Sequence, residues 1–182
     1  MKLLHGLILS LLLTVASGAA ADTPFVLFNT NGGTGTVTGV APDFTLTGAN
    51  NAGASIINNY TLYIELVDVG QTFTFDWTYS TLDTDGAGWD PAGYLINNTL
   101  YQLSPETSGP GYSGSGVTAI TLLAGDTFGW YVQGIDSRNG PGKLVIGMSA
   151  VTLVVPEPSS YALLLAGLLL VGLCVRRRHR PT

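Results

Sequence analysis

The residue pattern points to an all-β protein, an antiparallel β-sandwich or jelly roll spanning residues 22–155, flanked by an N-terminal signal peptide and a single C-terminal transmembrane helix. Three observations carry this. Residues 71–80 (QTFTFDWTYS) alternate strictly, with Phe73, Phe75, Trp77 and Tyr79 on one face and Thr72, Thr74, Asp76 and Thr78 on the other; a period of two is the signature of a strand with one buried face. Short Thr-rich and aromatic runs recur along the chain, separated by Gly, Asn and Pro. No capped helical pattern interrupts them, which favours sheet packed on sheet.

Taken in order, 24–29 (PFVLFN) reads as a first strand and Asn31-Gly32-Gly33 as a turn. Residues 34–40 and 44–47 are short Thr-rich strands, and 48–53 (GANNAG) is a loop able to adopt positive φ. Residues 60–69 (YTLYIELVDV) alternate, placing Leu62, Ile64 and Leu66 on one face and a mixed set on the other. After the strand at 71–80, the segments 94–97 and 99–102 form a hairpin around Asn97-Asn98, since Asn tolerates the positive φ of a tight turn. Residues 104–116 (SPETSGPGYSGSG) are rich enough in Gly, Pro and Ser to predict a mobile loop. Strands at 117–123, 126–135 and 143–155 complete the set, with turns at Ala124-Gly125 and at 136–142 (DSRNGPG).

Composition bounds the chemistry. Five of the seven Lys and Arg residues lie in the two ends, so residues 22–155 hold 11 acidic residues against Arg138 and Lys143, a net charge of about −9. Nucleic acid and anionic lipid headgroups are excluded as partners; cations and neutral ligands are favoured. The only histidines, His5 and His179, and the only cysteine, Cys174, also lie in the ends. The central part therefore has neither a Ser-His-Asp nor a Cys-His nucleophile and lacks the nitrogen and sulfur ligands of zinc or copper. A carboxylate pair for glycoside hydrolysis is the remaining catalytic option, so the expectation is that the protein is not an enzyme.

One segment offers other chemistry: Asp83-Thr84-Asp85-Gly86-Ala87-Gly88-Trp89-Asp90-Pro91. Carboxylates at Asp83, Asp85 and Asp90, with glycines that let carbonyls turn inward, are the hard oxygen ligands Ca²⁺ prefers, making Ca²⁺ the one candidate cofactor. The spacing is not that of an EF-hand, since Gly86 comes too early and Tyr94 would occupy the position of the bidentate Glu. The competing reading is an Asx-rich connection in which each Asp caps its own turn.

The ends are targeting elements. Residues 1–21 combine Lys2, an apolar region from Leu7 to Val15, and small residues ending Ala19-Ala20-Ala21, which places signal cleavage after Ala21. At the other end, Pro156-Glu157-Pro158 blocks a helix running in from upstream. The charge-free run 159–175 then supplies about 17 residues, near the lower limit of a membrane span. Arg176, Arg177, Arg178 and Arg180 follow it and hold the C-terminus on the cytoplasmic side. The order Pro-Glu-Pro, apolar helix, Arg cluster over residues 155–180 resembles the PEP-CTERM sorting signal of exported proteins in exopolysaccharide-producing Gram-negative bacteria. That resemblance implies recognition by exosortase, a membrane protease-transpeptidase that cuts near the motif. Residues 75–103 are similar to a segment that recurs in exported PEP-CTERM proteins, which implies a shared domain type.

Three functional readings follow. The first is a surface or extracellular-matrix protein sorted by its tail, anchored transiently in the inner membrane, processed by exosortase and then associated with exopolysaccharide or biofilm. The second is a Ca²⁺-dependent carbohydrate-binding module; the third, a carboxylate-dependent glycosidase.

Overall fold

The computed structural model describes residues 24–50, 58–136, 139–153 and 164–169. Its strands are β1 (Val26–Asn29), β2 (Thr36–Val40), β3 (Asp43–Thr47), β4 (Asn59–Leu66), β5 (Gln71–Thr81), β6 (Ala92–Ile96), β7 (Thr99–Gln102), β8 (Ser113–Leu122), β9 (Thr127–Gly134) and β10 (Gly142–Leu153). They pair into two five-stranded sheets, ordered β1-β4-β9-β6-β7 and β2-β3-β10-β5-β8. Every pairing is antiparallel, so the fold is the expected β-sandwich.

The aromatic alternation of β5 supplies one wall of the core. Phe73, Phe75 and Tyr79 are buried and Trp77 packs beside them. From the opposite sheet β9 presents Phe128, Trp130 and Val132. Trp130 is fully buried, and the rings of Phe25, Phe44, Phe73, Phe75 and Phe128 surround it with centroids 4.6 to 6.4 Å away. Apolar area removed from water at about 25 cal/mol per Å² makes this ring cluster the main force holding the two sheets together. The hairpin at Asn97-Asn98 forms as expected: both residues have positive φ, 49° and 68°, and join β6 to β7.

Leu62 and Ile64 share a face of β4 as expected, and it is the outer one; the core-facing residues are Asn59, Thr61 and Tyr63, all buried. Leu62 stands cross-strand from Phe28 and Tyr131, and Ile64 from Val26, so the outer surface of this sheet carries its own apolar rows. The predicted mobile loop 104–116 ends early, because residues 113–116 are already the first residues of β8, paired with β5. Their glycines make room for rings: a Cβ on Gly116 would meet the Trp77 indole at 2.7 Å. Strand β10 lies between β3 and β5 and ends at Leu153, cross-strand from Gln71.

Ala19, Ala21, Pro156, Glu157, Pro158, Arg176, Arg177, Arg178 and Arg180 lie outside the described residues, as does most of the predicted membrane helix. Residues 164–169 are helical and exposed. Among the described residues, no helix is long and apolar enough to cross a membrane.

Candidate functional site

The acidic segment is the connection that carries the chain from β5 in one sheet to β6 in the other, passing through a short 3₁₀ turn at Ala87–Trp89. It is built from the inside outward. The buried Tyr79 hydroxyl donates to the carbonyl oxygen of Asp90 at 2.9 Å. The Thr81 hydroxyl donates to Asp90 Oδ2 at 2.8 Å and accepts the Asp83 N–H at 2.9 Å. Asp83 Oδ1 accepts the Asp85 N–H at 2.6 Å, an Asx turn of the kind anticipated for this run. Gly86 then takes φ +95°, and a Cβ there would run into the carbonyl oxygen of Ser108, so the turn admits no larger residue. The Ser104 and Ser108 hydroxyls accept the N–H groups of Ala92 and Ala87 at 3.0 and 2.8 Å, fastening the loop before β8 over the turn.

The three aspartates of the segment have different surroundings. Asp83 and Asp90 are 0% and 1% exposed, whereas Asp85 is exposed and its Oδ2 accepts from the Asn139 side chain at 3.3 Å. Burial pushes the Asp90 carboxyl up to about 7, with Asp83 and Asp136 adding like-charge repulsion against the Thr81 hydrogen bond. Burial also raises Asp83, helped by Asp136 and Asp85 and opposed by the N–H groups of Asp85 and Gly86. Asp83 Oδ2 is buried with no hydrogen-bond partner. Asp136 is the acidic neighbour that sequence spacing did not reveal. It follows β9, and β9 pairs with β6, so the sheet carries the chain at Asp136 toward the 83–90 turn. Among the described residues, no three Asp, Glu, His or Cys side chains stand close enough to hold a metal by themselves.

At one end of the sandwich a cavity of about 540 Å³ opens between the sheets, lined by Phe25, Val40, Tyr63, Phe73, Met148 and Val151 among others. Val151 belongs to β10, so this is the end from which the chain continues past Leu153. Residues 154–178 match the family model of the PEP-CTERM protein-sorting motif. The chain carries a PEP-CTERM sorting motif. The match begins at the residue after β10, so the PEP-CTERM segment and the sandwich abut without overlap.

No curated protein matches the chain in sequence. Among solved structures, it is similar to a family 35 carbohydrate-binding module from an environmental isolate, at 14% identity and a TM-score of 0.39, over 74% of this chain and 94% of that one. A second is the GH26-CBM35 β-(1,4)-mannanase of Podospora anserina, at 14% identity and a TM-score of 0.33, over 76% of this chain and 29% of that one. A third is the β-glucosidase of Kluyveromyces marxianus in complex with glucose, at 14% identity and a TM-score of 0.25, over 69% and 14% of the two chains.

Proposed function

We propose that this is a non-catalytic exported protein whose PEP-CTERM segment directs it through the inner membrane to exosortase. After processing, the sandwich is retained with extracellular polysaccharide. The observation that carries the sorting reading is the junction: the last strand of the sandwich ends at Leu153 and the matched motif begins at residue 154. Cutting the tail near Pro156-Glu157-Pro158 therefore removes none of the described strands. The apolar run 159–175 holds the chain at the membrane until then, and the Arg cluster fixes which side its end occupies. Association with neutral polysaccharide fits a domain with a strong acidic excess, which discourages polyanionic partners.

Replacing Pro156, Glu157 and Pro158 with alanines tests the reading. Export should persist, and the full-length chain should accumulate in the inner-membrane fraction, followed by immunoblotting of fractionated cells. Processing and release at the parental rate would show that this segment is not the sorting signal.

A further inference from the structure

We infer that the end of the sandwich from which the tail leaves is a lipid-contacting surface. While the tail is in the membrane, this end rests on the bilayer through apolar side chains and without attraction to headgroup charge. The inference rests on the anchoring role proposed above for residues 159–175.

The strand registers define that end. Leu153 is cross-strand from Gln71 and Gln71 from Leu122, so the end of β10, the start of β5 and the end of β8 lie level in one sheet. Leu66 and Thr127 lie level in the other. The turns after β4 and β8 are bonded together here, Val67 N–H to the carbonyl of Asp126 and Gly125 N–H to that of Val67, both at 2.8 Å. Large aliphatic side chains stand in water around this rim: Leu66 is 50% exposed, Val69 44%, Leu123 65% and Val151 53%. Scattered singly they would be unremarked, but gathered at one end they form a patch. Val151 also lines the cavity between the sheets, so the apolar surface continues inward from the rim.

The length of the connecting chain supplies the partner. Strand β10 ends at Leu153 and the charge-free run begins at Ser159, so only residues 154–158 lie between. Fully extended, they reach about 18 Å at most. An anchored tail therefore holds this end of the sandwich at headgroup level. Such a tether raises the local concentration of the partner into the millimolar range, so contacts too weak to bind a free domain suffice.

Charge selects the kind of lipid contact. Asp68 is exposed at this end, and Glu65 and Asp126 are half-buried. Lys143 is cross-strand from Ser80 at the opposite end, and among the described residues no Lys or Arg stands beside the rim. The attraction is therefore burial of aliphatic area, and it suits a zwitterionic surface better than an anionic one.

Single-cysteine probes test the inference. The full chain, recovered from the inner membranes of expressing cells, carries Cys174→Ser and one new cysteine labelled with a polarity-sensitive dye. It is reconstituted in phosphatidylcholine vesicles that include lipid with a doxyl quencher at the top of an acyl chain. Dyes at Leu123→Cys and Val151→Cys should show blue-shifted emission and quenching by the doxyl lipid, both unchanged by salt. A dye at Leu82→Cys, which follows β5 at the opposite end and is equally exposed, should show neither. Adding Leu66→Ser and Val69→Ser, surface changes that leave the core alone, should remove most of the signal from the dye at Val151→Cys. Equal quenching at the two ends, no quenching at either, or quenching that salt abolishes would overturn the contact surface. The anchor is read separately: a chain stripped from the vesicles by an alkaline carbonate wash would overturn the anchoring reading, and this inference with it.

Discussion

Two turns of this sandwich are organised around aspartate in opposite ways. In the connection from β5 to β6, Asp83 and Asp90 are enclosed and their carboxyls are pushed up by burial. In the turn from β8 to β9, Asp126 is only half-buried. Its carboxyl is pulled below the usual range by the Leu123 N–H at 2.8 Å and the Asn97 side chain at 2.7 Å. Residue type is the same, but in the first turn the protein has removed water faster than it has supplied donors. In the second it supplies donors and leaves the water in place. The first arrangement costs stability when ionised; the second is a cap.

The largest expected effect separates the two by pH. Asp90 holds its proton in the folded state up to about pH 7 but loses it near its ordinary value of 3.8 when unfolded. The folded state therefore binds more protons between these limits, and stability must fall as pH rises from about 4 to 7. The slope is at most about 1.4 kcal/mol per pH unit for one proton. Asp83 acts in the same direction, with Tyr79 and Asp136 the other titratable neighbours. Asp126 acts oppositely, since its lowered carboxyl contributes stability above the ordinary carboxylate range that is lost on further acidification. Thermal unfolding in chelator should therefore peak near pH 4. Asp90→Asn should flatten the fall above that and raise stability at pH 8 by up to several kcal/mol. A parent profile flat from pH 4 to 7 would show that Asp90 is not protonated in the fold.

A smaller effect isolates the frame from the charge. Tyr79→Phe removes the buried hydroxyl that donates to the Asp90 carbonyl and should cost about 1–3 kcal/mol. Burial raises the Tyr79 phenol well above its ordinary value, so the loss should be the same at pH 5 and pH 8. A loss that grew with pH would mean that the hydroxyl acts on the Asp90 carboxylate instead of the carbonyl. The guanidinium-denaturation midpoint at the two pH values distinguishes these outcomes.

The same contrast explains what was legible in the sequence. Both local signals, the alternation of Phe73 to Tyr79 and the Asn97-Asn98 hairpin, were readable because each is dictated within one strand or turn. Alternation in β4 identified two faces but could not say which was inner. That choice is made by β9, whose Trp130 fills the core opposite Tyr63 while Tyr131 pairs with Leu62 on the outside. Residues 113–116 looked like loop because their glycines carry no pattern of their own; they are strand because Trp77 needs the space above Gly116. The acidic turn was visible as a turn, and Asp83, Asp85 and Asp90 were equivalent candidates in it. Only the fold turns Asp85 out to Asn139, buries the other two and brings Asp136 to them.

The smallest predicted effect concerns the second turn. Asp126 Oδ1 accepts from the Asn97 Nδ2 group, while Asn97 Oδ1 accepts the Thr127 N–H at 2.9 Å, so one Asn side chain ties the β6–β7 hairpin to the start of β9. Asp126→Ala should lower the melting temperature less than Tyr79→Phe does, since exposed groups that lose a partner regain water. The deficit should shrink on acidification below the ordinary carboxylate range, as the parent carboxyl takes up its proton. Asn97→Ala should cost more than Asp126→Ala, because it loses both bonds and places alanine at φ 49°. In the double variant the Asp126 effect should shrink to the part owed to the Leu123 N–H. Full additivity in that cycle would mean that the Asn97–Asp126 bond contributes nothing in solution. The contrast would then narrow to a buried pair short of donors and a half-buried Asp capping a single N–H.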